Sequence, residues 1–337
     1  MARQLATIEQ LSNVRSHDNA DALELATVRG WQVVVKLDEF ASGDTVVYFE
    51  IDSMLDHSDE RFAFLAPRGV RTDVRDGFSG HVLRTAKLRG QISQGLVLPV
   101  DEFAAEIGDD MTIGRDLTEI LGLRKWDPPL PADLSGKALG QRPGSVPKTD
   151  AERVQNIDLS SMPPTGWIAS EKIDGTSTSY LLGAEGELRV CTRNLELAPA
   201  GQLQWTIADE LGIREILESL DTDGDALIQG ELAGLGIQGN PLGFTDRRFF
   251  VFRLLVGGRD IPTSDWPEAL AALAAPVVDI PFPSSNEEAL ESAEQFQSVV
   301  APGKRPEGIV WRYEGDEFVP ERIVKAISNK YLLKQKD

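Results

Sequence analysis

Cysteine and histidine are scarce in this sequence of 337 residues. Its single cysteine, Cys191, excludes a disulfide within the chain. Its histidines, His17, His57 and His81, are scattered, whereas a structural zinc site needs several cysteine or histidine ligands at close spacing. The sequence therefore indicates neither a disulfide framework nor a structural zinc domain.

Long apolar runs are also missing. No stretch approaches the roughly 18 residues that a membrane-spanning helix needs. The longest candidate, residues 269–280, is interrupted by Pro276 and Asp279. Residues 1–10 lack the apolar segment of a secretory signal. We therefore expect a cytoplasmic protein with no membrane contact.

Basic side chains are few overall, with 34 Lys and Arg against 54 Asp and Glu, for a net charge of −20. Such a balance disfavours nucleic-acid binding, which depends on Lys and Arg, but local clusters matter more than the average. Residues 61–90 carry seven basic side chains against two acidic ones, and residues 321–337 carry five against two. Each cluster fits either an anion-binding surface or an ordinary solvated face.

The first hundred residues predict short strands with turn residues between them. These strands are 23–28, 31–36, 44–51, 80–84 and 95–100. About five short strands in a module of this size suit a small all-β barrel of the OB type. We assign this module to residues 1–120.

A proline-rich stretch follows. Residues 126–150 contain five prolines and three glycines, a density incompatible with a helix interior or a central strand. We interpret residues 121–150 as a linker and residues 151–337 as a second domain.

The second domain mixes strands and helices. Strands are predicted at 167–172, 177–182, 187–192, 226–232, 248–256, 308–313 and 322–326. Helices are predicted at 202–220, where apolar residues recur at nearly helical spacing, and at 265–275, 286–297 and 328–334. The pattern indicates an α+β fold with largely antiparallel sheets.

The sharpest local signal surrounds Lys172, in the string SEKIDGTS at 170–177. A partly desolvated lysine at a strand end can have its pKa lowered enough to act as a nucleophile. Gly175 permits a tight turn or a close approach of the backbone to a ligand. A strand-edge lysine before an Asp-Gly hairpin turn is the structural alternative.

This string resembles motif I of the covalent nucleotidyltransferase superfamily, which comprises ATP-dependent DNA ligases, RNA ligases and mRNA capping enzymes. In that superfamily the lysine attacks the α-phosphate of a nucleoside triphosphate. Five further segments resemble motifs Ia, III, IIIa, IV and V in the same order: CTRN at 191–194, IQGEL at 228–232, FFVFRL at 249–254, PEGIV at 306–310 and IVKAIS at 323–328. One such match is weak, but their joint order is specific.

The arrangement is similar to bacterial RNA ligases that carry an OB module at the N-terminus. Residues 148–156 resemble the segment that leads into their ligase domain, and residues 328–334 resemble their tail. DNA ligases and capping enzymes follow motif V with an OB domain, whereas about ten residues follow it here. Motif V often reads Lys-x-Lys, but position 327 is Ile and the next lysine is Lys330.

The resemblance implies a role for each matching residue. It assigns catalysis to Lys172, Glu231, Glu307 and Lys325. It implies ATP binding by Glu171, Lys172, Ile173, Arg193, Glu231, Phe252, Glu307, Lys325 and Lys330, with the Phe252 ring stacked on the purine. It implies Mg²⁺ or Mn²⁺ near Asp174, Glu231 and Glu307, directly or through water. We also expect Lys325 to hold the α-phosphate and to lower the pKa of Lys172 by like-charge repulsion.

The OB-like module is the expected RNA-binding part, with Arg84, Lys87 and Arg89 as candidate contacts. Phe62, Phe64 and Phe78 lie among the arginines of this segment, and either fill the barrel or stack on bases.

The implied function is ATP-dependent RNA ligation in RNA repair. AMP moves from ATP to Lys172, then to a 5′-phosphate, and a 3′-hydroxyl expels it. The expected substrates are ATP and RNA ends in a nicked duplex, with no required protein partner. The alternatives are a DNA nick ligase, a guanylyltransferase, or an inactive nucleic-acid-binding protein.

Overall fold

The computed structural model describes residues 3–73, 76–126, 137–199, 201–220, 222 and 224–334. The chain divides into two compact units. The N-terminal unit comprises residues 1–129, 155–157 and 332–337, and the C-terminal unit comprises residues 130–154 and 158–331.

The N-terminal unit is built mainly from strands. Its elements are β1 (Ala6–Ser16), β2 (Leu23–Val28), β3 (Trp31–Lys36), β4 (Thr45–Phe49), β5 (Ser53–Asp56), β6 (Arg71–Thr72), β7 (Ser79–Val82), β8 (Ala86–Leu88), β9 (Gln91–Ser93), β10 (Leu96–Pro99), α1 (Ala104–Ile107) and β11 (Arg124–Lys125). A five-stranded sheet has the order β10-β4-β1-β2-β3, and a four-stranded sheet has the order β11-β5-β7-β6.

Strand β4 is buried on both faces. Val47 and Phe49 pack in one apolar cluster with Phe62, while Val46 and Tyr48 pack in a second cluster on the other face. Successive side chains of a strand point to opposite faces, so burial on both sides requires the continuous apolar run seen here.

The segment 155–157 belongs to the N-terminal unit although it is distant in sequence. The indole nitrogen of Trp31 donates a hydrogen bond of 2.7 Å to the Asn156 side chain, and the Asn156 amide donates one of 3.1 Å to Glu50.

The C-terminal unit contains the remaining strands and helices. Its strands are β12 (Ala138–Gln141), β13 (Glu152–Arg153), β14 (Trp167–Lys172), β15 (Thr176–Leu182), β16 (Leu188–Thr192), β17 (Leu195–Leu197), β18 (Ala226–Gly234), β19 (Arg247–Val256), β20 (Arg259–Asp260), β21 (Val277–Val278), β22 (Gly308–Tyr313) and β23 (Ile323–Ile327). The helices numbered after α1 are α2 (Leu203–Glu210), α3 (Ile213–Glu218), α4 (Glu268–Ala271), α5 (Asn286–Gln295) and α6 (Asn329–Leu332).

Two sheets dominate this unit. The seven-stranded sheet has the order β12-β17-β16-β15-β18-β19-β20, and the five-stranded sheet has the order β13-β23-β22-β14-β21. Every pairing within them is antiparallel except that of β13 with β23. Residues from α2, α3 and α4 pack with the larger sheet in one apolar cluster. The predicted α+β class, with an OB-like module and largely antiparallel sheets, is confirmed.

Two predicted helices are wrong in extent. The helix predicted at 202–220 is divided into α2 and α3, and Gly212 between them has a positive φ of 61°. The helix predicted at 265–275 is reduced to α4, because Trp266 and Pro267 before it are extended, the conformation that proline favours in the residue preceding it.

Part of the stretch predicted as a linker carries regular structure. Strand β12 pairs with β17, and Val146 is fully buried in a cluster with Leu181 and Cys191. Residues 127–136 lie outside the described residues. The domain boundaries at 120 and 150 stay a prediction. Among the residues that the structure describes, no helix is long and apolar enough to cross a membrane.

Candidate active site

Strand register brings Lys172 and Lys325 to one face of the five-stranded sheet. Ser170 of β14 lies opposite Val310 of β22, and Val310 lies opposite Lys325 of β23. Cross-strand partners share a face, and so do residues two apart on a strand, which places Lys172 on the face of Ser170. Arg153 of β13, paired with Lys325, continues this row.

Lys172 contacts the acidic residue that precedes β22. Its Nζ lies 2.7 Å from Oε2 of Glu307, and both side chains are largely buried. Burial alone lowers the pKa of Lys172, but the attraction of Glu307 and Glu231 outweighs it and the net pKa is raised. The lysine is therefore protonated in the free protein.

The other two carboxylates near Lys172 bind protons more tightly than usual. Burial raises the pKa of Glu231 to about 8 against the attraction of Lys172. Burial also raises the pKa of Asp174, while a hydrogen bond from the Tyr331 hydroxyl to its Oδ2 opposes that shift. In the free protein, these carboxylates are therefore not all ionised near neutral pH, and a bound cation would favour their ionised forms.

Lys325 departs from the expectation drawn from the sequence. Burial lowers its pKa to about 7, and repulsion from Arg153 and Lys172 contributes. The prediction that Lys325 lowers the pKa of Lys172 is wrong for the free protein, because three carboxylates surround Lys172 and their attraction prevails. Of the two lysines, Lys325 is the one closer to neutrality.

Glycines beside Glu231 and Glu307 allow neighbouring strands to pack closely. A Cβ on Gly308 would lie 2.0 Å from the carbonyl oxygen of Ala326. A Cβ on Gly230 would lie 2.6 Å from the ring of Phe249. Each acid therefore stands next to a glycine position at which the strands pack too closely for a side chain.

Phe252 is the extra residue of a β-bulge. In the β18–β19 pairing, Gln229 lies opposite Arg253 and Gly230 lies opposite Val251, so Phe252 has no partner. Bulges re-aim side chains and are frequent next to active sites. The carbonyl oxygen of Phe252 accepts a hydrogen bond of 3.2 Å from Nη1 of Arg312, which stands on β22.

Arg312 is fixed by further partners. Its Nη2 donates to the Thr263 hydroxyl and to Glu314, and its guanidinium lies 5.7 Å from the centre of the Trp266 ring. Arg312 lies on the same face of β22 as Val310, because the two are two residues apart. It therefore links the face that bears Lys172 to the bulge that bears Phe252.

Glu171 precedes Lys172 on β14 and has its side chain on the opposite face of the strand, and Ile173 follows the end of the strand; both are buried. The Glu171 carboxylate accepts hydrogen bonds from the Ser298 hydroxyl at 2.6 Å and from the Val299 amide at 2.7 Å. Glu171 thus fastens the segment after α5 to the strand that carries Lys172. A direct contact of either residue with the nucleotide stays a prediction.

Two other predicted nucleotide contacts have partners of their own. Arg193 pairs with Asp150 at 2.8 Å, and its charge also acts on Glu231. Lys330 is exposed on α6, and its ammonium lies 3.2 Å from Glu294 of α5. The structure gathers Lys172, Glu231, Glu307, Lys325 and Asp174 but holds Lys330 at this separate pair.

The described residues contain no group of three or more His, Cys, Asp or Glu side chains arranged to hold a metal ion. The charge excess around Glu231 and Asp174 nevertheless suits a divalent cation bound mostly through water and substrate oxygens.

In the N-terminal unit, Arg84, Lys87 and Arg89 are all exposed, around strand β8. Of the three phenylalanines considered, Phe62 is buried in the core and Phe64 is 55% exposed. Phe78 is half-buried beneath the guanidinium of Arg124.

Sequence reasoning did not assign Arg153, Arg312 or Tyr331 to the site. Arg312 could have been found from its spacing of two residues from Val310 on a predicted strand. Tyr331 lies in the tail segment whose resemblance was noted, but its contact with Asp174 joins residues 157 positions apart. No local pattern encodes such a contact.

Comparison with known proteins gives consistent matches. A family model described as an OB-fold domain matches residues 5–100, and one described as RNA ligase matches residues 165–327. No curated protein sequence matches the chain.

Among solved structures, an RNA ligase of Naegleria gruberi with PPi is 33% identical, with 99% of each chain covered and a TM-score of 0.87. A lysine-to-alanine variant of that ligase with ATP and Mn is 33% identical, covers 98% of this chain and 99% of the other, and has a TM-score of 0.87. A glutamate-to-alanine variant with AMP and Mn is 32% identical, with 99% of each chain covered and a TM-score of 0.86.

Proposed function

Since the chain belongs to the RNA ligase family, we propose that it joins RNA 3′-hydroxyl and 5′-phosphate ends with ATP through a covalent Lys172–AMP intermediate. The observation that carries this proposal is the placement of Lys172 at a strand end, 2.7 Å from Glu307 and beside Glu231 and Asp174, with Lys325 on the same face. The complexes of the Naegleria ligase with ATP and Mn support ATP as the AMP donor.

Lys172 must lose its proton before it can attack the α-phosphorus of ATP, a step that breaks the bond to the β-phosphate and releases pyrophosphate. Its pKa is raised in the free protein because Glu307 and Glu231 attract the ammonium. Asp174, Glu231 and Glu307 would hold a divalent cation, Mg²⁺ or Mn²⁺, whose charge would offset that of the carboxylates and of the triphosphate. The carboxylates would then attract the Lys172 ammonium less, which would lower the pKa of Lys172.

The carboxylates Asp174, Glu231 and Glu307 are the residues that would hold this cation. Carboxylate oxygens are the ligands that Mg²⁺ prefers, and it commonly keeps several waters. Burial raises the pKa values of Glu231 and Asp174, and a cation bound beside them would favour their ionised forms.

Lys325 suits the α-phosphate. With a pKa of about 7 it is partly neutral in the free protein, and an approaching phosphate favours its charged form. Lys325 thereby gains a charge as the anionic substrate arrives, and the positive charge is stabilised by the group that it binds.

Phe252 offers a surface for the adenine, since the bulge turns it out of the regular ladder and Arg312 holds its carbonyl. We assign to it the stacking role that the family resemblance implies, and we place the ribose contacts at Glu231 and Arg193.

The remaining steps use the same groups. The 5′-phosphate of RNA attacks Lys172–AMP and releases the lysine, and a 3′-hydroxyl then displaces AMP to form the phosphodiester. Arg84, Lys87 and Arg89 are the proposed RNA contacts of the N-terminal unit. A nicked duplex as substrate, a role in RNA repair, the lack of a required protein partner and a cytoplasmic location belong to the same proposal.

Incubation with α-³²P-ATP or α-³²P-GTP tests the proposal. We expect a protein–AMP adduct that forms with ATP and divalent cation only, and sealing of RNA nicks. As a phosphoramidate, the adduct should be cleaved by acid and by hydroxylamine and should resist alkali. Labelling by GTP alone would identify a guanylyltransferase instead. Sealing of DNA nicks but not RNA nicks would identify a DNA ligase, and no adduct with either nucleotide would indicate a binding protein.

A further inference from the structure

A face of the four-stranded sheet in the N-terminal unit carries two arginines in register. Arg71 lies opposite Gly80, and Arg124 lies opposite Met54, which is itself opposite Val82. Gly80 and Val82 are two residues apart on β7, so Arg71 and Arg124 share one face although their strands form opposite edges of the sheet.

Each arginine lies against an aromatic ring from a distant part of the sequence. The guanidinium of Arg71 is 5.7 Å from the centre of the Trp126 ring, and that of Arg124 is 4.3 Å from the centre of the Phe78 ring. Phe78 and Trp126 are half-buried, and the Arg124 side chain is 40% exposed. We call Arg71, Phe78, Arg124 and Trp126 the Arg–aromatic face.

The face is positively charged in a strongly acidic protein. Its charges come from Arg71 and Arg124, and the exposed Arg68 lies three positions before Arg71 in the sequence. Asp76 pairs with Arg124. Phosphate groups are bound through such local concentrations of Arg and Lys, so the charge of this face complements a nucleic acid.

We propose that the Arg–aromatic face binds unpaired nucleotides of RNA, whose bases stack on the rings and guanidinium planes while the arginines contact phosphates. Aromatic rings and arginine planes bind the flat faces of bases, and those faces are accessible only in single-stranded segments. The inference rests on the proposed function for RNA as the partner, but it adds that the substrate includes an unpaired segment. The face is separate in sequence from Arg84, Lys87 and Arg89.

Fluorescence anisotropy with three RNA probes tests this proposal on the full chain. The probes are a 12-nucleotide single strand, a fully paired nicked duplex, and the same duplex with a 12-nucleotide overhang. For the double variant Phe78→Leu/Trp126→Leu we expect the Kd to rise by about 5- to 150-fold for each lost stack on the two probes with unpaired bases. We expect the Kd for the fully paired duplex to change less than twofold.

Phe64→Leu is the matched control, because it removes an exposed phenylalanine of the same unit, and we expect it to change no Kd by more than twofold. The variants Phe78→Tyr and Trp126→Phe keep the rings and should restore binding even if the leucine variant unfolds. Arg71→Gln/Arg124→Gln should weaken binding of the single strand and lower its salt dependence.

An equal loss on paired and unpaired probes would overturn the proposal, since it would indicate phosphate contacts without stacking. Unchanged binding of the single strand by a folded leucine variant would overturn it as well. Lys172–AMP formation is measured in parallel and should be unaffected by every variant. If the parent protein formed no Lys172–AMP, the proposed function would be contradicted. The anisotropy measurements would still decide separately whether the Arg–aromatic face binds unpaired RNA.

Discussion

Nη1 of Arg312 donates a hydrogen bond of 3.2 Å to the carbonyl oxygen of Phe252. The bulge leaves this residue without a partner across the ladder, so its conformation depends on contacts from outside the strand. Arg312 supplies one from the strand that follows Glu307. The residue proposed to stack on adenine is therefore positioned by an arginine of the opposing sheet.

Replacement of Arg312 by Met should weaken ATP binding more than it slows the chemical step. A lost hydrogen bond from a charged donor corresponds to roughly a tenfold or larger rise in KM for ATP, with a smaller change in kcat for Lys172–AMP formation. Arg312→Lys should recover part of this loss. Arg253→Met is the control, because Arg253 follows Phe252 but pairs with Asp260. Equal effects of Arg312→Met and Arg253→Met on KM would contradict the positioning role.

Lys172→Arg should abolish the protein–AMP adduct. Arginine keeps the positive charge beside Glu307 but stays protonated and cannot attack phosphorus. The adduct is measured with labelled ATP and located by peptide mass mapping. Lys148→Arg, at an exposed lysine, should label normally. Labelled Lys172→Arg protein, or an adduct mapped to another lysine, would refute the assignment.

Glu231→Gln should abolish ligation but stabilise the free protein at alkaline pH. The carboxyl has a pKa of about 8 in the folded chain against 4.5 ordinarily, so folding favours its protonated form. Stability from this group is present below pH 4.5 and is lost as the pH rises through 8.

We expect the Tm of Glu231→Gln in EDTA to exceed that of the parent by a few degrees at pH 8, and the difference to vanish near pH 5. A lower Tm at pH 8 would show that Glu231 serves the fold instead.

Gly308→Ala should destabilise the C-terminal unit strongly. The added Cβ would meet the backbone of Ala326 at 2.0 Å, and two paired strands would have to separate. We expect a loss of about 1–3 kcal/mol or more in the free energy of unfolding, measured with urea. Gly140→Ala is the control, since Gly140 also lies in a strand but a Cβ there meets nothing within 4 Å. Similar stability of the two variants would disprove this close packing.

Cys191 should be almost inert in the folded protein. Burial raises the pKa of its thiol to about 12, and only the thiolate reacts with disulfide reagents. We expect negligible modification by Ellman's reagent at pH 8 and one thiol per chain after denaturation in guanidinium. Rapid reaction without denaturant would contradict the burial of Cys191 on β16.

Most strands of the C-terminal unit were predicted from the sequence, because the pattern of apolar residues over five to ten positions is a local property of the chain. Trp167–Lys172 and Gly308–Tyr313 match the structure to the residue. Strand β1 was not predicted: its first half is buried, but its second half is polar and exposed after a bulge between Ser12 and Arg15. The alternation of apolar and polar residues is lost where a strand leaves the core partway along its length, and the strand cannot then be predicted from that pattern.

For the site, motif order identified Lys172, Glu231, Glu307 and Lys325, which the structure brings together. Their protonation was not predictable. The sequence shows two lysines, and a like-charge argument lowers the pKa of Lys172. Three-dimensional packing instead surrounds Lys172 with carboxylates and leaves Lys325 beside Arg153. Burial and distance decide which lysine keeps its proton, and neither is encoded in spacing.

The contacts of the site join distant parts of the chain, with 135 positions between Lys172 and Glu307 and 157 between Asp174 and Tyr331. On a ribosome that adds about 5–20 residues per second, Lys172 is made roughly 7–30 s before Glu307. Until then the nascent chain has the proposed nucleophile but neither the opposing carboxylate nor Lys325. On the proposed mechanism, the protein therefore acquires its chemistry late in synthesis, and we expect a chain that stops before Glu307 to form no Lys172–AMP.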